Sequence, residues 1–231
     1  MTSSYVWPLP AELLLLMLDD EGRLRVDSTK RKAAVAGAAV LQLVLDGVLD
    51  LEPGEPSRAR LVARPGVAAP QSGVLEQARD RAVGHTPKDA VARIGGASDW
   101  KGRANDIQEC VLEELAAARV LERFQHRQLR VFTSTSWPIR RPEVRSDIQA
   151  RIAAVLDGAQ PDPLTAALVG ILNAIDLLPK LFPQRDKKTM RHLAEQIGEL
   201  GWGAEAVAQA VRQVQAAVIA SIVVSTTAAT S

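Results

Sequence analysis

Between Leu9 and Glu52 the apolar residues form dense blocks, and the polar residues fall almost entirely in the short gaps between them. Leu13, Leu14, Leu16, Met17 and Leu18 crowd one segment, which Asp19, Asp20, Glu21 and Gly22 interrupt. This predicts a helix ending at an acidic turn, because glycine accepts the positive φ that a helix end needs. RLRV, Arg23 to Val26, alternates and predicts a short strand. From Ala33 to Leu45 nearly every residue is apolar or small and only Gln42 breaks the run. A helix of that composition is expected to be buried on almost every side. Asp46 and Gly47 end it, and Val48 to Glu52 reads as a strand.

The stretch from Pro53 to Gly73 is rich in proline and glycine and predicts a surface loop with ARLVA, 59–63, as a returning strand. Helical spacing resumes over Val74 to Val83 and Pro87 to Ile94, the second with proline where the missing N–H costs nothing. Ser98 or Asp99 is expected to cap a helix from about Lys101 to Ala118, whose buried stripe is Ala104, Ile107, Val111 and Leu115. Val120 to Phe132 alternates about a polar centre and predicts a β-hairpin. Glu143 to Leu156, Leu164 to Leu178, Lys187 to Leu200 and Ala204 to about Val223 complete the helices. The expected fold class is mainly α: one helical bundle over 1–231 with short strands and one hairpin, and with 1–8 and 225–231 as flexible ends.

At 231 residues and 47% hydrophobic content the chain can bury a sizeable core. The formal net charge is only +1, so attraction to phosphate has to come from local clusters. Cys110 has no second cysteine to pair with, which predicts a reducing, cytoplasmic setting. MTSSYVWPLP lacks the basic and apolar regions of a secretory signal. AAVIASIVV, 216–224, falls short of the roughly 20 residues that a spanning helix needs, so membrane association is expected to be peripheral.

Catalytic patterns are missing: the sequence has no GxxxxGK loop, no dinucleotide glycine fingerprint and no HExxH. His85, His126 and His192 are far apart, which argues against a metal site. Ser98 to Lys101 matches SxxK without the companion motifs of that chemistry, and helix capping accounts for it. No catalytic residue, metal or cofactor is expected.

Two basic clusters carry the candidate chemistry. Arg23, Arg25, Lys30, Arg31 and Lys32 gather at the strand and at the start of the buried helix, where backbone N–H groups already favour an anion. The plain alternative is ordinary surface charge at a solvated helix end. Around the hairpin, Arg119, Arg123, Arg127, Arg130, Arg140, Arg141 and Arg145 alternate with Phe124, Leu129, Val131 and Phe132, and Trp137 follows. Arginine interleaved with apolar residues suits an interfacial membrane contact. Dimer packing by the same hairpin is the alternative.

In order and spacing, Leu13 to Leu18, the Glu21-Gly22 turn, Gly37, Leu43, Leu45, Gly47, Leu49, Leu51 and Glu52 resemble the start of the Golgi phosphoprotein 3 family, peripheral membrane adaptors with bacterial members. LAAARVL at 115–121, the strand pair after it, Pro138 and the C-terminal amphipathic helices extend the resemblance. It implies a mostly helical fold that binds phosphatidylinositol 4-phosphate and holds cytoplasmic tails of membrane enzymes. It also implies a hairpin, here Phe124, Arg127, Leu129 and Arg130, that touches membrane and can join copies into a homo-oligomer. The family's lipid pocket uses a tryptophan, an arginine and two further basic residues one helical turn apart. Carried over in register, these positions hold Asp27, Ala36, Asn105 and Gln108, and all four depart from the pattern. Lys32 and Lys101, each one turn earlier, could stand in for lost cations. The expectation is therefore a peripheral anionic-lipid-binding adaptor with weak, salt-sensitive attraction. A winged-helix-like nucleic-acid-binding protein is the alternative, with the buried helix and the 48–63 strands as its last helix and wing. Nucleic acid is disfavoured, because Ala33 to Leu45 offers only Gln42 to read base edges.

Overall fold

The computed structural model describes residues 7–53, 55, 58–96, 107–128, 132–199 and 211–221, with backbone alone at 126–128, 132–134 and 199. Helix α1 (Leu9–Met17) is buried along its whole length. Its N-cap is Pro8, which offers no side-chain acceptor, so the first amide finds one elsewhere: Leu9 N–H donates to Gln42 Oε1 at 2.7 Å. Gln42 is the single polar residue in the buried stretch 34–44 of α2 (Ser28–Leu45). Its amide nitrogen in turn donates to Asp46 Oδ1 at 3.0 Å. The break in the apolar run is thus the cap of a neighbouring helix.

Helix α2 starts five residues before the apolar run, because Asp27 Oδ1 accepts from the amides of Thr29 and Lys30 at 2.9 and 3.3 Å. Lys30, Arg31 and Lys32 are therefore on the helix. RLRV is not a strand: Leu24 forms one bridge to Leu18, and the Asp19 carboxylate organises the turn by accepting from the amides of Glu21 and Arg23. Gly22 has φ +74°, and a Cβ there would lie 2.3 Å from the Trp137 carbonyl carbon and the Pro138 nitrogen. That turn is clamped against the exit of the later hairpin, with Trp137 N–H donating to Gly22 O at 2.7 Å.

Strands β1 (Leu49–Leu51) and β2 (Leu61–Ala63) pair antiparallel, as the pattern predicts. Helices α3 (Gly73–Ala82) and α4 (Pro87–Ile94) follow, and α5 (Ile107–Ala117) buries Ile107, Val111 and Leu115. The expected cap at Ser98 or Asp99, and Lys101 to Ala104 after it, lie outside the described residues. The hairpin consists of β3 (Phe124–Gln128) and β4 (Phe132–Ser136), with Gln128 opposite Phe132. This corrects the Val120 to Phe132 reading. Val120 and Leu121 are buried ahead of the hairpin, and the returning strand is FTSTS, where threonines favour extended backbone.

Helices α6 (Pro142–Leu156), α7 (Pro163–Ala174), α8 (Leu178–Leu181), α9 (Lys187–Glu199) and α10 (211–221) complete the described chain, which is mainly helical. Helix α7 stops earlier than the expected Leu178, and Asp176 takes a left-handed φ of 56° before α8 begins. Helix α2 is the hub, packed by α1, α3, α4, α5 and α7. Helix α10 also reaches it: a Cβ on Gly37 would meet Val218 Cγ1 at 2.4 Å. Glu12 of α1, 1% exposed, pairs with Arg151 of α6. Burial pushes its carboxyl up, and Arg151 offsets this only in part.

Gln42→Leu leaves the Leu9 amide buried without an acceptor. It should cost about 1–3 kcal/mol in urea denaturation, and an unchanged midpoint would contradict the capping role. Arg151→Met leaves Glu12 buried without its cation and should cost about 3–5 kcal/mol near neutral pH. A carboxyl with a raised folded pKa binds its proton more tightly in the native state, so stability falls as pH rises through the raised value. The Arg151→Met deficit should therefore shrink on acidification, as a pH series of melts would read directly.

Candidate functional site

The first basic cluster divides once its side chains are placed. Arg23 is held within its own turn, with Nε 3.2 Å from Asp19 Oδ2 and Nη2 3.0 Å from Glu21 Oε2. Burial pushes the Asp19 carboxyl up, but the Arg23 amide and guanidinium outweigh it and hold it below its ordinary value. Arg31 turns inward: Nη1 donates to Val26 O at 2.6 Å and Nε to Gln108 Oε1. Arg25 is exposed and Lys30 half-buried, and among the described residues neither forms an ion pair. Lys101 lies outside the described residues.

Among the described residues, the positions carried over from the family pocket hold no basic side chain. The Asp27 carboxylate already occupies the first amides of α2, which an incoming anion would otherwise meet. Ala36 is fully buried. Gln108 is engaged by Arg31, and Asn105 lies outside the described residues. The cation placed between Asp27 and Gln108 is thus Arg31, one position before the lysine that helical spacing suggested. Lys32 faces another way, into a cleft between α2 and α4 that Lys88 also lines. Sequence reading missed Lys88. It shares a helical stripe with Val91, Ala92 and Gly95, but only tertiary packing sets that stripe against Ser28, Thr29, Lys32 and Ala33.

The arginines around the hairpin are largely committed to acids. Arg123 Nη1 is 2.6 Å from Glu113 Oε1, and its guanidinium lies 5.6 Å from the centre of the Trp137 ring. Arg140 pairs with Glu122, Arg141 with Glu143 at 2.9 Å, and Arg145 with Asp20 at 2.9 Å. Trp137 is 4% exposed and belongs to the core, not to an interface. Phe124 is 45% exposed at the start of β3. The Arg127 side chain, Leu129 and Arg130 lie outside the described residues.

Among the described residues no group of His, Cys, Asp and Glu is placed to hold a metal ion, and no helix is long and apolar enough to cross a membrane. Cys110 is half-buried on α5 and packs against the core. The winged-helix alternative fails on geometry. Residues 34–44 of its recognition helix are buried, so that face cannot enter a groove.

The family model for Golgi phosphoprotein 3 (GPP34) matches residues 9–214, and the chain belongs to that family. The family is not known for catalysis. No curated protein matches the chain.

The amides of Lys30 and Thr29 hold the Asp27 carboxyl below its ordinary value. A carboxyl lowered in the folded state adds stability above its unfolded pKa, about 3.9, and loses it as pH falls through the folded value. Asp27→Ala should therefore lower the melting temperature near neutral pH and make no difference once the pH is below that folded value. A deficit that persists in acid would mean that the carboxylate is not the cap.

Proposed function

We propose that this member of the Golgi phosphoprotein 3 family is a non-catalytic, peripheral adaptor on the cytoplasmic side of anionic membranes. The observation that supports this best is the cationic start of α2 and α4. Lys30 and Lys88 form no ion pair among the described residues, Arg25 is exposed beside them, and Lys32 shares a cleft with Lys88. Elsewhere, arginines such as Arg23, Arg140, Arg141 and Arg145 are matched by acids. A basic residue near an anionic bilayer contributes about 1 kcal/mol, and salt screens it. A few such residues hold the protein at the surface reversibly.

Phe124 at the start of the hairpin supplies an exposed aromatic group for the interfacial region. The hairpin would also be where copies associate, and cytoplasmic tails of membrane enzymes would be the cargo. Selective phosphatidylinositol 4-phosphate recognition by the family's pocket is not part of the reading, since Asp27 and Ala36 replace its tryptophan and arginine.

Flotation with vesicles rich in phosphatidylserine tests the reading. The protein should float at about 50 mM salt and largely remain behind at about 300 mM. Arg25→Glu with Lys30→Glu should weaken binding by roughly tenfold or more, given the value of each charge. Phosphatidylinositol 4-phosphate at matched surface charge should add little. Retardation of duplex DNA without flotation would overturn the reading in favour of nucleic acid.

A further inference from the structure

Helices α7, α9 and α10 enclose a cavity of about 340 Å³, within the range of small-molecule sites. It lies apart from both basic clusters and from the hairpin, none of whose residues lines it. Gln215 of α10 lines it and is 7% exposed. A buried carboxamide without partners is costly, so such groups are nearly always hydrogen-bonded. Other buried polar residues of this chain obey that rule. Gln42 uses both ends of its amide, Asp19 holds its turn, Glu12 pairs with Arg151 and Thr165 donates to Asp162. Among the described residues, the Gln215 side chain has no hydrogen-bond partner.

The amide is nevertheless seated with care. A Cβ on Gly170 of α7 would stand 2.2 Å from Gln215 Nε2, and one on Gly198 of α9 would stand 3.6 Å from it. Gly170 lies within its helix, where glycine is unfavourable relative to alanine, and here its missing side chain admits the amide. Asn173 of α7 is half-buried, lines the same cavity and also has no side-chain partner among the described residues.

Each carboxamide presents N–H donors beside a C=O acceptor. The charged lining residues are Glu195 and Arg212, one of each sign, so the cavity selects for neither ligand charge. Ala194, Ala216 and Ile219 supply apolar surface, and Ile219 is 37% exposed. A hydroxyl both donates and accepts, so hydroxyls on adjacent carbons match the neighbouring oxygen and nitrogen of a carboxamide. A pyranose ring carries such hydroxyls around its edge and C–H groups on its faces, which suits carboxamide walls beside an aliphatic one.

We propose that this cavity binds a neutral hexose. Hydroxyls on adjacent carbons exchange hydrogen bonds with the Gln215 and Asn173 carboxamides, the exposed Glu195 accepts from a further hydroxyl, and a C–H face rests on Ile219. The proposal stands independently of membrane binding, because the cavity shares no residue with the cationic start of α2 and α4.

The test is heteronuclear NMR titration of the isotope-labelled full chain with glucose, galactose and mannose, following the side-chain amide signals of Gln215 and Asn173, with propionamide as a separate arm. At least one hexose should move both sets of signals saturably, with a dissociation constant on the order of 1 mM. Gln215→Met keeps a long, flexible side chain and removes its donors and acceptor. Read on the Asn173 signals, it should weaken binding by roughly tenfold or more. It should also melt no lower than wild type, since the amide it removes has no partner to lose. Asn173→Ala should weaken binding likewise, read on Gln215, and Gln77→Met, the same change at an exposed position of α3, should leave it unaltered. No saturable shift with any of the three sugars overturns the proposal, as does unchanged binding in Gln215→Met. Gln215→Met that melts well below wild type overturns it too, because the amide then serves the fold. Propionamide that binds as tightly as the best sugar removes the case for a hydroxyl-bearing ligand.

Discussion

A stretch of helix with no solvent face must find every polar partner inside the protein, and that constraint on residues 34–44 of α2 shapes the structure around them. Residues 34–44 are buried, so neighbours have to cover them on all sides, and α1, α3, α4, α5 and α7 do so. Such burial gains free energy from each apolar side chain, but it tolerates no loose polar group. Gln42 meets the condition by serving two ends at once, the first amide of α1 and the Asp46 carboxylate. Gly37 meets it sterically, since α10 comes close enough that Val218 occupies the place of a Cβ.

The turn after α1 carries that order outward to the surface elements. Gly22 lies against the Trp137-Pro138 backbone, Trp137 N–H reaches Gly22 O, and Arg145 of α6 reaches both Leu18 O and Asp20. The exit of the hairpin is therefore fastened to the segment that leads into the basic start of α2. Two surfaces far apart in sequence are thereby held to one frame.

Charge is distributed by the same logic. With a net charge of only +1, the chain exerts little attraction at long range, and what remains depends on which cations lack an internal acid. Most of the arginines that looked exposed in the sequence are held by carboxylates, although such surface pairs contribute little stability. Lys88, inconspicuous in the sequence, keeps its charge unbalanced among the described residues and meets Lys32 across a concavity.

The apolar periodicity alone determined the mainly helical class, the burial of residues 34–44, the β1–β2 pair and α4 to the residue, because these depend on patterns within a few turns of chain. The Gly22 turn was legible for the same reason. Helix α2's true start was not, since Ser28 to Lys32 adds nothing to the apolar stripe and the helix begins there because Asp27 accepts from the amides of Thr29 and Lys30. The hairpin register was missed because alternation before Gln128 resembled both of its strands, and whether FTSTS returns is decided by its partner. The candidate site was legible only as a cluster of basic residues. Which of them point at acids, which at amides and which into a shared cleft follows from helix packing, because a side chain's partner across 60 residues is set by tertiary contact and leaves no local trace in the sequence.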